Sequence, residues 1–205
     1  MSDERDTVVK LPQLQLCRIL GVDPGSRFTG FGILDSDKQR SRYITSGCIR
    51  VDDQPWPQRL LSLFDHIAAL ITDYQPQELA VEQLIFARDP SAALKLGQAR
   101  GAILCAALKA GLTVQEYSPK SVKLAVVGTG NAEKTQVQHM MRALLALPTT
   151  PGADEADALA IALCHAHSRQ LTTGQRATAS WRDFRPPTNS IVNQSNSMPT
   201  AIKKP

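Results

Sequence analysis

Residues Cys17–Gly32 read CRILGVDPGSRFTGFG. The first seven, CRILGVD, form an apolar run that ends on an acid and is stopped by Pro24-Gly25-Ser26. Such a run and stop predict a β-strand leading into a tight turn. Extended segments are expected next over Thr29–Asp35 and Arg42–Arg50, so the chain opens as a three-stranded meander. Leu60, Leu61, Phe64, Ile67, Ala68 and Ile71 recur at helical spacing and predict an amphipathic helix over Pro57–Tyr74. Glu78–Gln83 (ELAVEQ) reads as a short apolar strand with a carboxylate at its far end. Pro90–Ala110 is an Ala/Leu-rich helix stopped by Gly111, and Leu112–Tyr117 is a further strand. Ser118-Pro119 starts a helix, Ser as cap and Pro in the first turn. Beyond a Gly-containing loop at Val127–Asn131, helices are expected over Ala132–Leu147 and Asp154–Gln170. This order describes an α/β domain with a mixed five-stranded sheet flanked by helices.

Composition agrees with that outline. Of 205 residues, 42% are apolar and 20% charged, as in soluble globular proteins. No apolar run is long enough to span a bilayer, and the opening MSDERDTVVK lacks the apolar centre of a secretory signal, so a cytoplasmic protein with no membrane partner is expected. The net charge of +4 is uneven, because residues 171–205 alone hold five Lys or Arg against one acid. We therefore expect a flexible N-terminal extension over 1–16, one domain over 17–170, and a basic, disordered tail over 171–205. The domain itself is close to neutral, so any polyanion must be held by local clusters. Cys17, Cys48, Cys105 and Cys164 are far apart and form no CxxC pair, which argues against zinc or disulfides and for four buried small apolar side chains.

Chemistry is suggested by where the acids fall. Asp23 closes the first strand and Glu82 closes the ELAVE strand. Asp154 and Asp157 stand three apart in the first turn of the last helix and so share a face, whereas Glu155 is expected to point away into solvent. In an α/β sheet, neighbouring strand ends and a covering helix can gather such acids. Four clustered carboxylates repel one another unless cations lie between them, and all-oxygen ligands suit Mg²⁺ or Mn²⁺ better than Zn²⁺. Two ions about 3.5–4 Å apart suit phosphodiester hydrolysis. Taken singly, each acid also answers a structural description: Asp154 as a helix-capping acid, Glu82 as an exposed strand end, Asp23 as an Asx-turn residue.

The same segments carry a family pattern. GVDPGSRFTGFG (residues 21–32), SGCIR (46–50), SAALKLGQARG (91–101), EKTQVQHM (133–140) and ADEADALAI (153–161) resemble, in order and spacing, the motifs of the RuvC family of Holliday junction resolvases. The resemblance covers nearly all of residues 17–168. It implies a ribonuclease H-like fold, a homodimer, and Mg²⁺-dependent cutting of four-way junction DNA, with two ions per site and Mn²⁺ as a substitute. The family's catalytic and metal-holding acids fall on Asp23, Glu82, Asp154 and Asp157, the set already found by position. Its DNA-contacting lysines fall on Lys123 and Lys134, beside the Gly-containing loop. Paired nicks in opposed strands, leaving 5′-phosphate and 3′-hydroxyl ends, are implied, as is partnership with the branch-migration proteins RuvA and RuvB.

One position departs from the pattern. The family carries an aromatic three residues past the second acid, where this chain has Ile85 and then Phe86. Phe86 is a candidate to stack on an unpaired base or else to pack in the core, and Arg88 joins it as a candidate DNA contact. Helix Pro90–Ala110 is apolar on nearly every side and so is expected to be buried by its own core or by a partner. His139 shares a helix with Lys134 and could meet DNA, while His165 and His167 are expected to cap or solvate the last helix. Trp56 is expected to pack at the start of the first helix. Rival readings are another ribonuclease H-like nuclease, an ATP-binding domain of the sugar-kinase and actin type, and a binding module that has lost catalysis. The second needs another lobe and phosphate loop, for which the chain leaves little room; the four acids argue against the third.

Overall fold

The computed structural model describes residues 16–37, 40–84 and 89–171. The expected N-terminal extension and basic tail fall almost wholly outside that set, as do Ile85, Phe86 and Arg88. Strands β1 (Cys17–Asp23), β2 (Phe28–Ser36) and β3 (Ser41–Arg50) precede helix α1 (Trp56–Tyr74). Strand β4 (Glu78–Glu82), helix α2 (Pro90–Lys109), strand β5 (Thr113–Tyr117) and helices α3 (Pro119–Val127), α4 (Lys134–Leu144) and α5 (Ala153–Leu171) follow. The sheet order is β3-β2-β1-β4-β5. β1–β2 and β2–β3 pair antiparallel, whereas β1–β4 and β4–β5 pair parallel.

Most expected punctuation is present. Ser118 caps α3, its Oγ accepting from the Ser121 amide at 3.1 Å, with Pro119 in the first turn. Gly111, at φ +81°, ends α2 and donates its amide to the Leu108 carbonyl at 3.0 Å. Helix α4 begins two residues later than the spacing suggests, because the Gln136 side chain accepts from the Glu133 amide at 2.8 Å and fixes Glu133 as the cap. Lys134 thereby becomes the first helical residue. The Asx turn considered for Asp23 does not form; Thr29 Oγ1 closes that turn through the amide and carbonyl of Gly25, at 3.3 and 3.2 Å.

Side chains alternate across the sheet and divide the core in two. Cys17, Ile19, Leu34 and Ala80 face α3, α4 and α5, whereas Leu20, Val22, Ile33, Leu79, Val81 and Val114 face α1 and α2. The cysteine expectation is half right: Cys17 and Cys164 are buried, but Cys48 and Cys105 are exposed. Helix α2 is likewise buried on one stripe only, through Ala99, Ile103, Ala106 and Ala107, while Leu94 is 70% exposed. Among the described residues no helix is long and apolar enough to cross a membrane.

Helix α5 lies closest to the sheet, and glycines permit it. A Cβ on Gly21 would sit 2.3 Å from the Ala158 carbonyl oxygen, and one on Gly30 would sit 1.9 Å from that of Asp154. One on Gly32 would meet the Leu159 side chain at 2.7 Å. Gly21 pairs with Gly32 and Asp23 with Gly30, so the three form a shallow trough on one face of β1 and β2. The helix meets it with Ala158, Leu159 and Ala162, all fully buried.

Candidate active site

The trough decides where the acids meet. Asp23 ends β1 and Glu82 ends β4, and these parallel neighbours are in register through Val22–Val81, one step before the acids. Alternation puts Asp23 on the face of Gly21, and Glu82 on the face of Ala80, which is the face α5 covers. Helix α5 enters over Gly30, the partner of Asp23, and so carries Asp154 and Asp157 to the same sheet edge. Asp23, Glu82, Asp157, Lys123 and Lys134 line one cleft of about 300 Å³ with an apolar floor that includes Val122 and Ile161.

The electrostatics are those of crowded acids. Burial pushes the Asp23 carboxyl up, and Glu82, Asp157 and Asp154 push it further, to about 7, against a smaller opposing pull from Lys134. Glu82 is raised by burial and then by Asp157, and Asp157 by burial and by Asp154. Lys134 and Lys123 lower both. Lys134 Nζ stands 3.7 Å from Asp157 Oδ2, with the lysine largely exposed. Sequence reasoning thus named acids and lysines that the fold does gather. Asp154 reaches Asp23 electrostatically but is not part of the cleft wall.

A hard divalent cation fits this donor set. The ligands offered are carboxylate oxygens, and their mutual repulsion is what a cation would relieve. Among the described residues no three acid, histidine or cysteine side chains converge tightly enough to enclose an ion alone. Open carboxylates suit a cation of the Mg²⁺ type, which keeps waters and accepts substrate oxygens.

The N-terminus of α5 is held by residues the sequence reading passed over. Glu155, expected in solvent, instead accepts from Ser46 Oγ at 2.5 Å and from the Gly152 amide at 3.0 Å. The capping role considered for Asp154 therefore belongs to Glu155. Ser46 Oγ in turn accepts from the Tyr43 hydroxyl at 3.0 Å, and Cys48 Sγ lies 3.9 Å from Asp154 Oδ2. Ser46 and Cys48 pair with Gly32 and Gly30, so SGCIR is the strand on which the acid-bearing helix end rests.

His165 also corrects an expectation. It is buried, 3% exposed, rather than solvated. Its Nδ1 is 2.7 Å from Tyr117 Oη and its Nε2 bonds Glu78, which Arg169 Nε also meets at 3.0 Å. Burial raises the Glu78 carboxyl, but His165 and Arg169 outweigh it and leave the group below its ordinary value. This network ties α5 to the start of β4, at the end opposite Glu82. Trp56 opens α1 and donates Nε1 to Gln98 Oε1 at 2.6 Å.

Known proteins resemble this chain in sequence and in fold. The profile described as "Crossover junction endodeoxyribonuclease RuvC" matches residues 19–165. The protein of that name from Marinobacter nauticus is 58% identical over 152 residues, covering 74% of this chain and 87% of the relative. That from Shewanella frigidimarina is 50% identical over 166 residues, covering 81% and 96%. Among solved structures, Thermus thermophilus RuvC superposes with a TM-score of 0.69 at 33% identity, covering 76% of this chain and 97% of the other. T. thermophilus RuvC in complex with its Holliday junction substrate gives 0.69 at 31%, with the same coverage. A family profile spanning most of the chain, together with relatives matched over nearly their whole length, places this chain in the RuvC family of crossover junction endodeoxyribonucleases.

Proposed function

We propose that this chain resolves Holliday junctions by metal-dependent nicking of two opposed strands, with Asp23, Glu82, Asp154 and Asp157 as its catalytic acids. The observation that carries the reading is the shared cleft: acids from two strands and a helix meet two lysines at one sheet edge, with Asp23 pushed up to about 7. The acids would hold the cation, which when bound supplies water activation and neutralises charge building on the phosphate. Mg²⁺ is the metal proposed, two ions per site, with Mn²⁺ able to substitute.

The lysines act on the substrate. Lys134, in the first turn of α4, and Lys123, on α3, offer ammonium groups beside Asp157 and Glu82, where a scissile phosphate would lie. Departure of the 3′-oxygen leaves 5′-phosphate and 3′-hydroxyl ends that ligase can seal. Phe86 and Arg88, four and six residues beyond Glu82, complete the proposed DNA contacts.

Paired nicks need two sites related by a two-fold axis, which a homodimer supplies. Support comes from α2, whose face away from the core carries Leu94, Gly101 and Cys105 on one stripe. A Cβ on Gly101 would meet nothing within 4 Å, so a second helix could approach closely. Cytoplasmic action on junctions delivered by RuvA and RuvB completes the proposal. The test is cleavage of a synthetic four-way junction beside linear duplex and RNA–DNA hybrid, in Mg²⁺, Mn²⁺ or EDTA. Paired, ligatable, metal-dependent nicks on the junction alone are expected; preferential hybrid cleavage would instead identify an RNA-processing enzyme.

A further inference from the structure

A second charged cleft lies on the other side of the same turn. Its volume is about 460 Å³, and Ser26, Arg27, Asp52, Trp56, Arg59 and Lys95 contribute to its wall. Asp23 precedes the β1–β2 turn that carries Ser26 and Arg27, so the two clefts share one loop. The acid cleft opens toward α3, α4 and α5; this one is built on α1 and α2, which cover the opposite face.

Its charge is unbalanced. Arg59 gives its donors to main-chain carbonyls, from Nε to Gln54 at 2.6 Å and from Nη2 to Asp52 at 2.6 Å, so it makes no side-chain bond to a carboxylate and reaches Asp52 only at a distance, after Arg50. Asp52 is already paired with Arg50, at 2.6 and 3.2 Å. Lys95 Nζ is held 5.8 Å from the centre of the Trp56 ring, itself anchored through Nε1 to Gln98. Among the described residues the Arg27 side chain has no hydrogen bond or ion pair, and it is exposed. Three cations therefore face a cleft whose one acid is occupied, in a domain that is otherwise close to neutral.

We infer that this cleft is a second DNA-backbone site, in which Arg27 and Lys95 hold phosphates of a duplex arm while the scissile strand lies in the acid cleft. The inference rests on the junction-cutting reading and adds a positioning surface to it. Arg59 shapes the cleft by fixing the loop that carries Asp52 and Gln54. Phosphate contacts of this kind set register on DNA without reading its sequence.

The test is binding of a fluorescent four-way junction, and separately a linear duplex, in EDTA over about 50–200 mM salt. Wild type is compared with Arg27→Ala/Lys95→Ala and with Lys109→Ala, a control in which a lysine near the far end of α2 stands 5.7 Å from the Phe64 ring centre. The double variant should reduce the slope of log affinity against log salt by about 1.8, two contacts at about 0.9 each, while Lys109→Ala leaves it unchanged. Melting curves confirm that each variant is folded. An unchanged slope in a folded double variant overturns the inference, as does an equal drop in Lys109→Ala. Wild type that binds duplex as tightly as junction, with the slope still reduced in the double variant, sinks the junction reading and leaves the cleft standing. Wild type that binds neither DNA overturns both.

Discussion

Two aspartates on adjacent strands, both removed from bulk water, are driven in opposite directions. Asp23 is raised to about 7 by burial and then by its acidic neighbours. Asp35, 1% exposed, is lowered chiefly by the Arg18 guanidinium, which donates to it at 2.7 and 3.1 Å, with Arg42 adding a bond at 3.0 Å. Asp35 ties β1, β2 and β3 together, whereas Asp23 carries unrelieved repulsion suited to a cation. Asp35→Asn should cost about 2 kcal/mol at neutral pH, the size of lost charge-assisted hydrogen bonds, with cleavage per folded molecule unchanged. Because the folded carboxyl is lowered, its stabilisation is full above the unfolded value near 3.8 and is lost as pH falls through the lower folded value. Urea titrations of the two proteins should therefore converge in strong acid; a constant gap would show that charge is not the cause. The proposed acids Asp23, Glu82, Asp154 and Asp157 stand out in the sequence because strand ends and a helix start mark them. Ser46 and Glu155 were not, since their bond joins positions 109 apart and follows only from the docking of α5 on β3.

The elements came through with small errors at their ends, and their mutual closeness was the harder part. Apolar runs and turn residues announce strands, but nothing local states that α5 will rest on bare backbone at Gly21, Gly30 and Gly32. That contact sets the position of the acids. Gly30→Ala would force a methyl to within 1.9 Å of the Asp154 carbonyl oxygen, so the first turn of α5 must move. Overpacking of this sort costs about 1–3 kcal/mol. A displacement near 1 Å at a catalytic group lowers rate on the order of 100-fold. Junction cleavage should fall by that factor while binding changes little, since the lysines sit on α3 and α4. Single-turnover kinetics at saturating enzyme measure it, and a rate within threefold of wild type would show that α5 is not placed by this contact. The amphipathic reading of α1 succeeded because one stripe is buried. That of α2 left two coverings open, and the fold supplies only one of them.

For the whole molecule, the uncovered stripe of α2 is the remaining question of assembly. An exposed Leu94 beside Gly101 and Cys105 fits a helix that meets its two-fold mate. Leu94→Asp should convert a dimer into a monomer in sedimentation velocity at micromolar concentration, with the melting curve of the domain little changed. A wild-type protein that sediments as a monomer would remove the dimer from the account. Charge is also a whole-molecule property: a nearly neutral domain places Lys123 and Lys134 in one cleft and Arg27, Arg59 and Lys95 in another, and counting residues could not have revealed that placement. Whether four carboxylates form a metal-dependent nuclease centre is decided by assaying Asp154→Asn on a four-way junction in Mg²⁺. The cleavage rate should be lower by at least about 100-fold, the scale for losing one electrostatic group at a reacting centre, with junction affinity retained. Cleavage within a few-fold of wild type, or loss of junction binding in the folded variant, would contradict such a centre.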